Sequence, residues 1–468
     1  MKVARIAVIG GGITGLAAAH RLKELAPQAR VALFDAGEQL GGVLQTERHD
    51  GYLIELSADN FITNVPWGVD LCRRLGLAEQ LLPTHESERR AFVVRQGRLL
   101  AVPLGFHLLR PSRVWPVVRS PLLSWPGKLR LLCEAFVRPQ RTAGDESLAS
   151  FARRRLGREA FERLVQPLVA GIYTADAEQL SMAAALPRFF EMERAHGSLL
   201  RAAWRERARG ADGNASSGAR YGLFVAPRDG MSSLVAALAG KLEHAGVERY
   251  GTVAQLDWNG QLWSVTTDQA TREFDAVILA LPAHAAAGLL SSVSQELAAE
   301  LNRIPYAGSA IVVLGYRREQ LSRGLEGFGF VVPAIERRNI LAASFSSSKF
   351  DGRAPADRVL IRVFLGGAER PDQLELDDRT LVELATGELT GLLGVQGPPE
   401  LTRVVRWPRS MPQYHIGHVE LVERIEKLAA QWPTLALAGN AYHGVGVPNC
   451  IHSGEQAAQR VLAPFGVR

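Results

Sequence analysis

The sequence is 468 residues long, with 47% hydrophobic and 22% charged residues, the balance of an ordinary globular protein. This length exceeds what one hydrophobic core usually serves, so two or three domains are expected. The formal net charge is +6, and no apolar run approaches the roughly 18 residues that a membrane-spanning helix needs. The three scattered cysteines form no C-x-x-C pair, and the eleven histidines show no H-E-x-x-H spacing. They predict a reducing compartment and no metal.

The first predicted unit is a strand, a glycine-rich turn, a helix and a second strand. Residues 6–9 form an apolar run suited to a buried strand, and a G-x-G-x-x-G turn follows. A helix is predicted over 14–25, and its N-terminus favours a phosphate. The second strand, 30–34, ends in an acid placed to accept a hydrogen bond from a ribose hydroxyl. The unit predicts a dinucleotide site made of Gly10, Gly11, Gly12, Ile13, Thr14, Gly15, Asp35 and Ala36.

NAD and FAD are both bound by such a unit, and the glycine turn does not distinguish them. Just past the ribose-binding acid stand Gly41 and Gly42, followed by Val43. A glycine pair at this distance resembles the flavoproteins with a fold of the two-dinucleotide-binding type. The pair therefore favours FAD.

A second glycine-rich segment lies near the end of the chain. Residues 435–438 predict a short strand, Gly439 and Asn440 a turn, and residues 449–462 a helix. A helix N-terminus aimed at an isoalloxazine would stabilise the negative charge of a reduced flavin. The two glycine-rich segments together predict non-covalently bound FAD, held between the first and last parts of the chain.

The apolar segment 104–141 carries most of the net charge. It has seven cations against one acid, so its local charge is 7 − 1 = +6. The cations are Arg110, Arg113, Arg119, Lys128, Arg130, Arg138 and Arg141, and the acid is Glu134. Tryptophans and aliphatic residues alternate with these charges, a pattern suited to an anionic lipid headgroup layer. The alternative is a basic helical subdomain whose apolar residues form its core. We expect no nucleic acid, because the segment is apolar, interrupted by prolines and without a recognisable binding module.

The remaining pattern predicts a second, mixed sheet. A hairpin is expected over 91–102 with its turn at Gln96 and Gly97. Helices are expected over 65–82 and 147–164, and a mobile loop over 208–220. The later strands are predicted at 310–316, 327–333, 340–345, 359–367 and 402–407. We expect an FAD-binding domain of residues 1–87, 221–297 and 403–468, a substrate-binding domain of 88–100 and 298–402, and a helical membrane-associated domain of 101–220.

Three further motifs identify a family. Residues 170–181 read A-G-I-Y-T-A-D-A-E-Q-L-S, and residues 406–418 read R-W-P-R-S-M-P-Q-Y-H-I-G-H. Residues 439–451 read G-N-A-Y-H-G-V-G-V-P-N-C-I. With these elements the chain resembles the oxygen-dependent protoporphyrinogen oxidases over essentially its whole length, and the shorter-loop bacterial members in particular. Residues 55–60 read E-L-S-A-D-N where that family usually has E-L-G-P followed by a basic or polar residue.

The resemblance implies an α/β fold: a Rossmann-like FAD-binding domain, a mixed-sheet substrate domain and an inserted helical membrane-docking domain. It also implies oxidation of protoporphyrinogen IX to protoporphyrin IX by oxygen, with release of hydrogen peroxide, in haem biosynthesis. Hydride would pass from the tetrapyrrole to the flavin, so the protein needs little acid–base machinery. The expected location is cytoplasmic, at the inner face of the cell membrane. A homodimer and docking of the next haem-pathway enzyme are further expectations.

The resemblance also assigns residues to the site. Gly171 would lie at the reacting edge through its backbone, and Arg90 would bind a propionate, with Arg95 and Arg98 as alternatives. The flat substrate slot would be lined by Phe328, Val331, Ser344 and Phe364. Further flavin contacts are expected from Ser57, Ala58, Asp59, Asn60, Val253, Trp407, Gly439, Val445, Gly446 and Val447.

Other functions share parts of this pattern. Flavin amine oxidases and carotenoid desaturases have the same two ends, but the motifs around Gly171 and Gln413 favour neither. Oxidation of coproporphyrinogen III, which carries four propionates, is a closer alternative. A flavin-binding scaffold without turnover is a third.

Overall fold

The computed structural model of the protein describes residues 3–111, 114–140, 144–208, 223–322 and 324–466. The predicted dinucleotide unit belongs to a parallel sheet of five strands. In spatial order these are β12 (Glu248–Tyr250), β2 (Arg30–Phe34), β1 (Arg5–Ile9), β16 (Ala276–Leu279) and β22 (Leu435–Leu437). Strands from the first, middle and last parts of the chain therefore form one sheet.

Helices cover both faces of this sheet, because successive residues of β1 point to opposite sides. Ile6 and Val8 pack with α1 (Ile13–Leu25), α2 (Trp67–Arg74), α11 (Ser232–His244) and α17 (Val447–Leu462). Ala7 and Ile9 pack on the other side with α12 (Ala283–Leu290), α13 (Gln295–Asn302) and α16 (His418–Ala429). This burial on both faces explains why the run 6–9 is continuously apolar.

The predicted second sheet has seven strands. Its order is β21 (Leu401–Pro412), β17 (Tyr306–Arg317), β20 (Arg358–Gly366), β19 (Ala342–Phe345), β18 (Gly329–Val331), β7 (Phe92–Arg95) and β8 (Arg98–Ala101). β18 and β7 run parallel, and the other pairs are antiparallel. One face packs against α15 (Asp378–Leu393), and the other faces the segment around Tyr52 and Ile54. The predicted hairpin is confirmed, with Gln96 and Gly97 both at positive φ in its turn.

A helical region follows the hairpin in sequence. It consists of α3 (Val114–Arg119), α4 (Trp125–Leu132), α5 (Leu148–Leu156), α6 (Arg158–Ala160), α7 (Gln166–Tyr173), α8 (Met182–Ala185), α9 (Pro187–His196) and α10 (Leu199–Ala208). Its core contains an ion pair between Glu134 and Arg155, both fully buried. Glu134 also accepts hydrogen bonds from Ser198 Oγ at 2.6 Å and Leu199 N at 3.0 Å. The loop predicted over 208–220 lies outside the described residues from 209 onward.

The described chain also has shorter elements. β3 (Thr46–His49) pairs with β4 (Tyr52–Glu55), and β9 (Phe106–His107) pairs with β10 (Arg110–Pro111). One small sheet consists of β5 (Phe61–Ile62), β11 (Phe224–Pro227) and β6 (Leu81–Pro83), another consists of β13 (Val253–Trp258), β14 (Trp263–Thr267) and β15 (Thr271–Phe274), and α14 (Ser346–Lys349) is a short helix.

One expectation about local structure needs correction. The helix predicted over 65–82 is wrong beyond its first half: α2 ends at Arg74, and residues 81–83 form a strand. Gly76, at φ +77°, supplies the left-handed conformation that commonly terminates a helix.

Several cations of the basic segment 104–141 do not face solvent. Arg110 and Lys128 are buried, and Arg130 donates to the Arg154 and Arg155 carbonyls. Arg113 and Arg141 lie outside the described residues.

The expected domain boundary at 402/403 falls inside β21, whose residues pair with β17 from Leu401 to Pro412. The polypeptide therefore passes from one sheet to the FAD side only after this strand. Among the residues that the structure describes, none of the helices combines the length and apolar character required to cross a bilayer.

Candidate active site

The glycine-rich turn joins β1 to α1. A Cβ on Gly10, which has φ +109°, would lie 2.3 Å from Ala280 O, and a Cβ on Gly15 would lie 1.8 Å from Gly10 O. No side chain fits at either position, as the close packing of strand and helix requires. A Cβ on Gly12 would meet no described atom within 4 Å. The turn is thus closed towards the protein and open at Gly12, the shape a pyrophosphate cradle needs.

The acid and the glycine pair both meet this turn. Asp35 Oδ2 accepts a hydrogen bond from Gly11 N at 2.6 Å, and Oδ1 accepts one from Gly37 N at 2.9 Å. Gly41 N donates to Gly11 O at 2.8 Å. The side chain of Val43 is 42% exposed beside the glycine pair. These predicted contacts, separated by up to 32 positions in sequence, therefore form one surface.

Two long helices begin at this surface without a side-chain cap. The N-cap residues are Gly12 for α1 and Gly446 for α17, and neither helix has a side-chain hydrogen bond to its first turn. A Cβ on Gly454 would lie 2.2 Å from Thr14 O, so the two helices pack backbone to backbone. Free N–H groups and the helix dipole favour negative charge at both starts. The residues present fit FAD: Gly10–Gly15 would hold the pyrophosphate, and Val445–Val447 would lie against the isoalloxazine.

The loop before α17 is fixed by Tyr414, which follows β21. Its hydroxyl donates to Asn440 O at 2.6 Å and accepts from Gly444 N at 2.8 Å. Its ring stacks on His418 with centroids 4.0 Å apart. Burial lowers the pKa of His418 to about 4, so this imidazole is neutral in the folded protein at neutral pH. The P-Q-Y-x-x-G-H motif thus supports the glycine-rich loop before α17.

Segment 55–60, whose sequence differs from the family's usual one, is held by hydrogen bonds and ion pairs. Trp407 Nε1 donates to Leu56 O at 2.7 Å, and Ser57 Oγ donates to Val43 O. Asp59 Oδ2 lies 2.5 Å from Lys349 Nζ and 3.2 Å from Arg362 Nη1. Several of the expected flavin contacts therefore lie together, although the family's usual residues are replaced. Ala58 and Asn60 flank Asp59 in the same segment.

One face of the seven-stranded sheet carries three of the predicted slot residues. Residues directly opposite in a ladder share a face. Val331 pairs with Ala342, which pairs with Phe364, and the next row on the same face is Gly329, Ser344 and Arg362. The Oγ of Ser344 is buried and has no hydrogen-bond partner among the described residues. An orphaned buried hydroxyl beside half-buried apolar side chains is consistent with a ligand surface.

The helix that carries Gly171 borders this face. A Cβ on Gly171 would lie 3.4 Å from Val331 Cγ1, which brings these two predicted residues together. Gln166, in the same helix, accepts a hydrogen bond from Ala334 N at 3.1 Å. A π-helical stretch at residues 161–165 precedes α7, and such irregularities are frequent at functional sites. Ile172 is 48% exposed beside Gly171.

The remaining predicted residues stand outside the paired positions of this face. Phe328 is buried, and its backbone N donates to Arg90 O at 2.8 Å. The Arg90 side chain is 59% exposed, with its nitrogen 4.0 Å from Glu326. Arg95 and Arg98 lie opposite each other in the hairpin. Val253 begins β13, close after Tyr250, whose carbonyl accepts from Asp35 N.

Sequence reasoning missed several residues that lie beside the predicted contacts. Lys349 and Arg362 come from strands and helices far from the flavin motifs, and nothing in their local pattern marks them. Ile172 could have been found, because it follows Gly171 in a recognised motif. Tyr414 stands in another recognised motif, but only the fold shows that its hydroxyl reaches Gly444.

Comparison with known proteins agrees with this geometry. The family model described as flavin-containing amine oxidoreductase matches residues 13–462. The coproporphyrinogen III oxidase of Bacillus subtilis is 32% identical over 98% of this chain and 97% of its own length. The protoporphyrinogen oxidase of Bos taurus is 33% identical over 98% of each chain. A crystal structure from Exiguobacterium sp. 255-15, provisionally described as a protoporphyrinogen oxidase, superposes with a TM-score of 0.86 at 27% identity, covering 99% and 100% of the two chains.

The chain belongs to the flavin-containing amine oxidoreductases and, within them, to the porphyrinogen oxidases. The predicted FAD is thereby confirmed as its cofactor. It is a flavin-dependent oxidoreductase.

Proposed function

We propose that the protein oxidises protoporphyrinogen IX to protoporphyrin IX, with three molecules of oxygen reduced to hydrogen peroxide, in haem biosynthesis. The observation that supports this most directly is the apolar row Val331, Ala342 and Phe364 beside Gly171. A flat tetrapyrrole whose edge carries vinyl and methyl groups suits such a row.

FAD supplies the hydride acceptor and returns the electrons to oxygen. The chain's own residues orient the substrate. Gly171 has no side chain, so the backbone of α7 leaves room for the edge of the ring. Val331 and Phe364, which share one face of the sheet, contact one face of the ring and exclude water, and Ser344 Oγ offers one hydrogen bond. Catalysis by this arrangement is mainly positioning, since the driving force is aromatisation of the macrocycle.

Arg90 is proposed to bind a propionate at the rim. Its backbone is fixed beside Phe328, whereas its guanidinium is exposed, and its ion-pair partner among the described residues is Glu326 at 4.0 Å. Arg90→Ala should raise KM about tenfold, as loss of one charge-assisted hydrogen bond predicts, with FAD content unchanged. Arg98→Ala is the matched comparison in the same hairpin. A larger KM effect for Arg98→Ala than for Arg90→Ala would assign the propionate to Arg98.

Coproporphyrinogen III is the second candidate substrate, and the name of the Bacillus subtilis relative favours it. Its four propionates would place charged groups against the apolar row, which the proposed preference disfavours. An aerobic assay with each porphyrinogen, following porphyrin fluorescence and peroxide, separates the two by kcat/KM. A higher kcat/KM for coproporphyrinogen III would reverse the preference. Yellow protein that forms neither porphyrin would support a scaffold without turnover.

We also propose that the helical region lies on an anionic membrane surface. Four large apolar side chains are exposed in α3, α4 and the turn after them: Trp115 (70%), Trp125 (73%), Leu129 (64%) and Phe136 (81%). Arg119 and Lys128 lie over the two tryptophan rings, at 5.6 Å and 4.6 Å from their centroids. Exposed tryptophans with adjoining cations are typical of residues at a lipid interface.

Flotation with vesicles tests this proposal. The double variant Trp115→Ser and Trp125→Ser should float at least about tenfold less with vesicles containing anionic lipid, because two large apolar groups no longer enter the interface. The control Val3→Ser changes another exposed apolar residue, 41% exposed beside β1. Equal flotation of the double variant and the wild type would exclude this surface as the lipid contact.

A further inference from the structure

Five charged side chains are buried where segment 55–60 meets the seven-stranded sheet. Glu55 and Asp59 come from the segment, and Lys349, Arg353 and Arg362 come from α14, the turn after it and β20. Glu55, Lys349, Arg353 and Arg362 are each no more than 8% exposed, and the Asp59 side chain is 13% exposed. Three cations against two carboxylates leave one positive charge. Buried unbalanced charge is unfavourable, so such clusters often serve a function.

The carboxylates have different partners. Glu55 accepts hydrogen bonds from Met231 N at 2.8 Å and Thr46 Oγ1 at 2.7 Å, and burial raises its pKa. Burial alone would raise the pKa of Asp59 too, but Lys349 and Arg362 outweigh it and lower that pKa to about 2. Asp59 is therefore ionised and paired directly with two cations, and Glu55 is satisfied by neutral donors.

The cations also differ. Arg353 donates to the Pro227 and Arg228 carbonyls at 2.9 Å each, away from the segment. Arg362 contacts Asp59 and donates to Ser57 O, and Lys349 contacts Asp59. Two cations thus reach the backbone and side chains of the segment that contains expected flavin contacts. Trp407, another such contact, is hydrogen-bonded to the same segment at Leu56 O.

A flavin that accepts a hydride gains two electrons and one proton, so its ring acquires a negative charge that nearby cations stabilise. We propose that Lys349 and Arg362 raise the reduction potential of the bound flavin and that Asp59 moderates this effect by partly neutralising them. These side chains are positioning residues for the charge, not groups that react. The inference rests on the proposed function for its use in turnover, but not for its measurement.

The two partners of the ion pair should shift the potential in opposite directions. Lys349→Met should lower the midpoint potential measured by dithionite titration of the holoenzyme, and should weaken sulfite binding to the oxidised flavin about tenfold. Asp59→Asn should raise the potential and strengthen sulfite binding, because it removes the neutralising carboxylate. A purely structural ion pair would give changes of the same sign from either side.

Two further variants serve as controls. Lys349→Arg keeps the charge and should restore the wild-type potential. Glu388→Gln removes a buried carboxylate of α15 from its ion pair with Arg338, at 2.6 Å, and should leave the potential unchanged. Equal shifts for Lys349→Met and Lys349→Arg, or no shift for either, would overturn the proposal. If Asp59→Asn does not retain FAD, the comparison of the two lysine variants decides alone.

These measurements use no porphyrinogen. A potential that shifts as expected in a protein that oxidises neither porphyrinogen would reject the proposed function and leave this inference standing. Normal turnover of protoporphyrinogen IX by the wild type, with an unchanged potential in the variants, would reject this inference and leave the proposed function standing.

Discussion

In the parallel sheet the site consists of backbone: Gly10 and Gly15 leave no space for a side chain, and two helix N-termini offer their N–H groups. In the seven-stranded sheet it consists of side chains set by strand register, as in the row Val331, Ala342 and Phe364. The first kind of site fails when any atom is added to it. We expect the second kind to tolerate substitution and to change its preference among substrates instead.

The largest effect should come from the backbone site. In Gly15→Ala the new methyl would lie 1.8 Å from Gly10 O, so strand and helix must separate, at a cost of about 3 kcal/mol or more. Gly12→Ala adds the same methyl where no described atom lies within 4 Å. It should keep the stability of the apoprotein and lose FAD affinity. Denaturation of both apoproteins with FAD titration distinguishes them; equal stability losses would show that the open side of Gly12 is not a cofactor cradle.

This difference also explains how much the sequence could predict. The glycine turn, Asp35 and the strands 5–9 and 30–34 were readable because sterics there act between near neighbours. Val331, Ser344 and Phe364 were assigned by resemblance, and only strand register shows that they share a face. Lys349 was not predictable, because its partner Asp59 lies 290 positions away. The early end of α2 depends on one glycine that the apolar pattern around it conceals.

Burial of His418 against Tyr414 should make the stability of the folded protein sensitive to pH. The pKa of His418 is about 4 in the folded protein and about 6.5 when unfolded, since burial disfavours the charged imidazole. The unfolded chain therefore binds the proton first as pH falls. The contribution of neutral His418 to the free energy of unfolding is therefore present above pH 6.5 and is lost progressively towards pH 4. The loss between pH 7 and pH 5 should be about 2 kcal/mol.

Urea denaturation at pH 7 and pH 5 measures this loss. His418→Phe keeps a ring on Tyr414 and should lose about 2 kcal/mol less than the wild type over that interval. His49→Gln, at a histidine whose side chain is 46% exposed, is the control and should keep the wild-type dependence. If the free energy of unfolding of His418→Phe fell between pH 7 and pH 5 as much as that of the wild type, other groups would be responsible for the pH sensitivity.

A smaller effect on stability and FAD affinity is expected where Tyr414, just after β21, meets the glycine-rich loop before α17. Tyr414→Phe removes the hydroxyl between Asn440 O and Gly444 N and leaves a backbone N–H without its partner, at a cost of about 1–2 kcal/mol. Because Gly444 precedes the expected flavin contacts, FAD affinity should fall about tenfold, measured by flavin fluorescence. Tyr316→Phe, buried on the opposite face of the sheet, should leave FAD affinity unchanged. Retained FAD affinity in Tyr414→Phe would show that the loop is fixed by other contacts.

The smallest effect separates the two faces of one sheet. Phe364 is half-buried in the apolar row, whereas Phe330 is 2% exposed and packs on the other face with Phe345. Phe364→Leu should raise the KM for the porphyrinogen about threefold, with less than about 1 kcal/mol lost in stability. Phe330→Leu should do the opposite, because it changes a packed core position that no substrate reaches: stability falls by about 1 kcal/mol and KM stays the same. If both variants altered only stability, Phe364 would be an ordinary core residue like Phe330. The substrate slot would then have to lie elsewhere along α7.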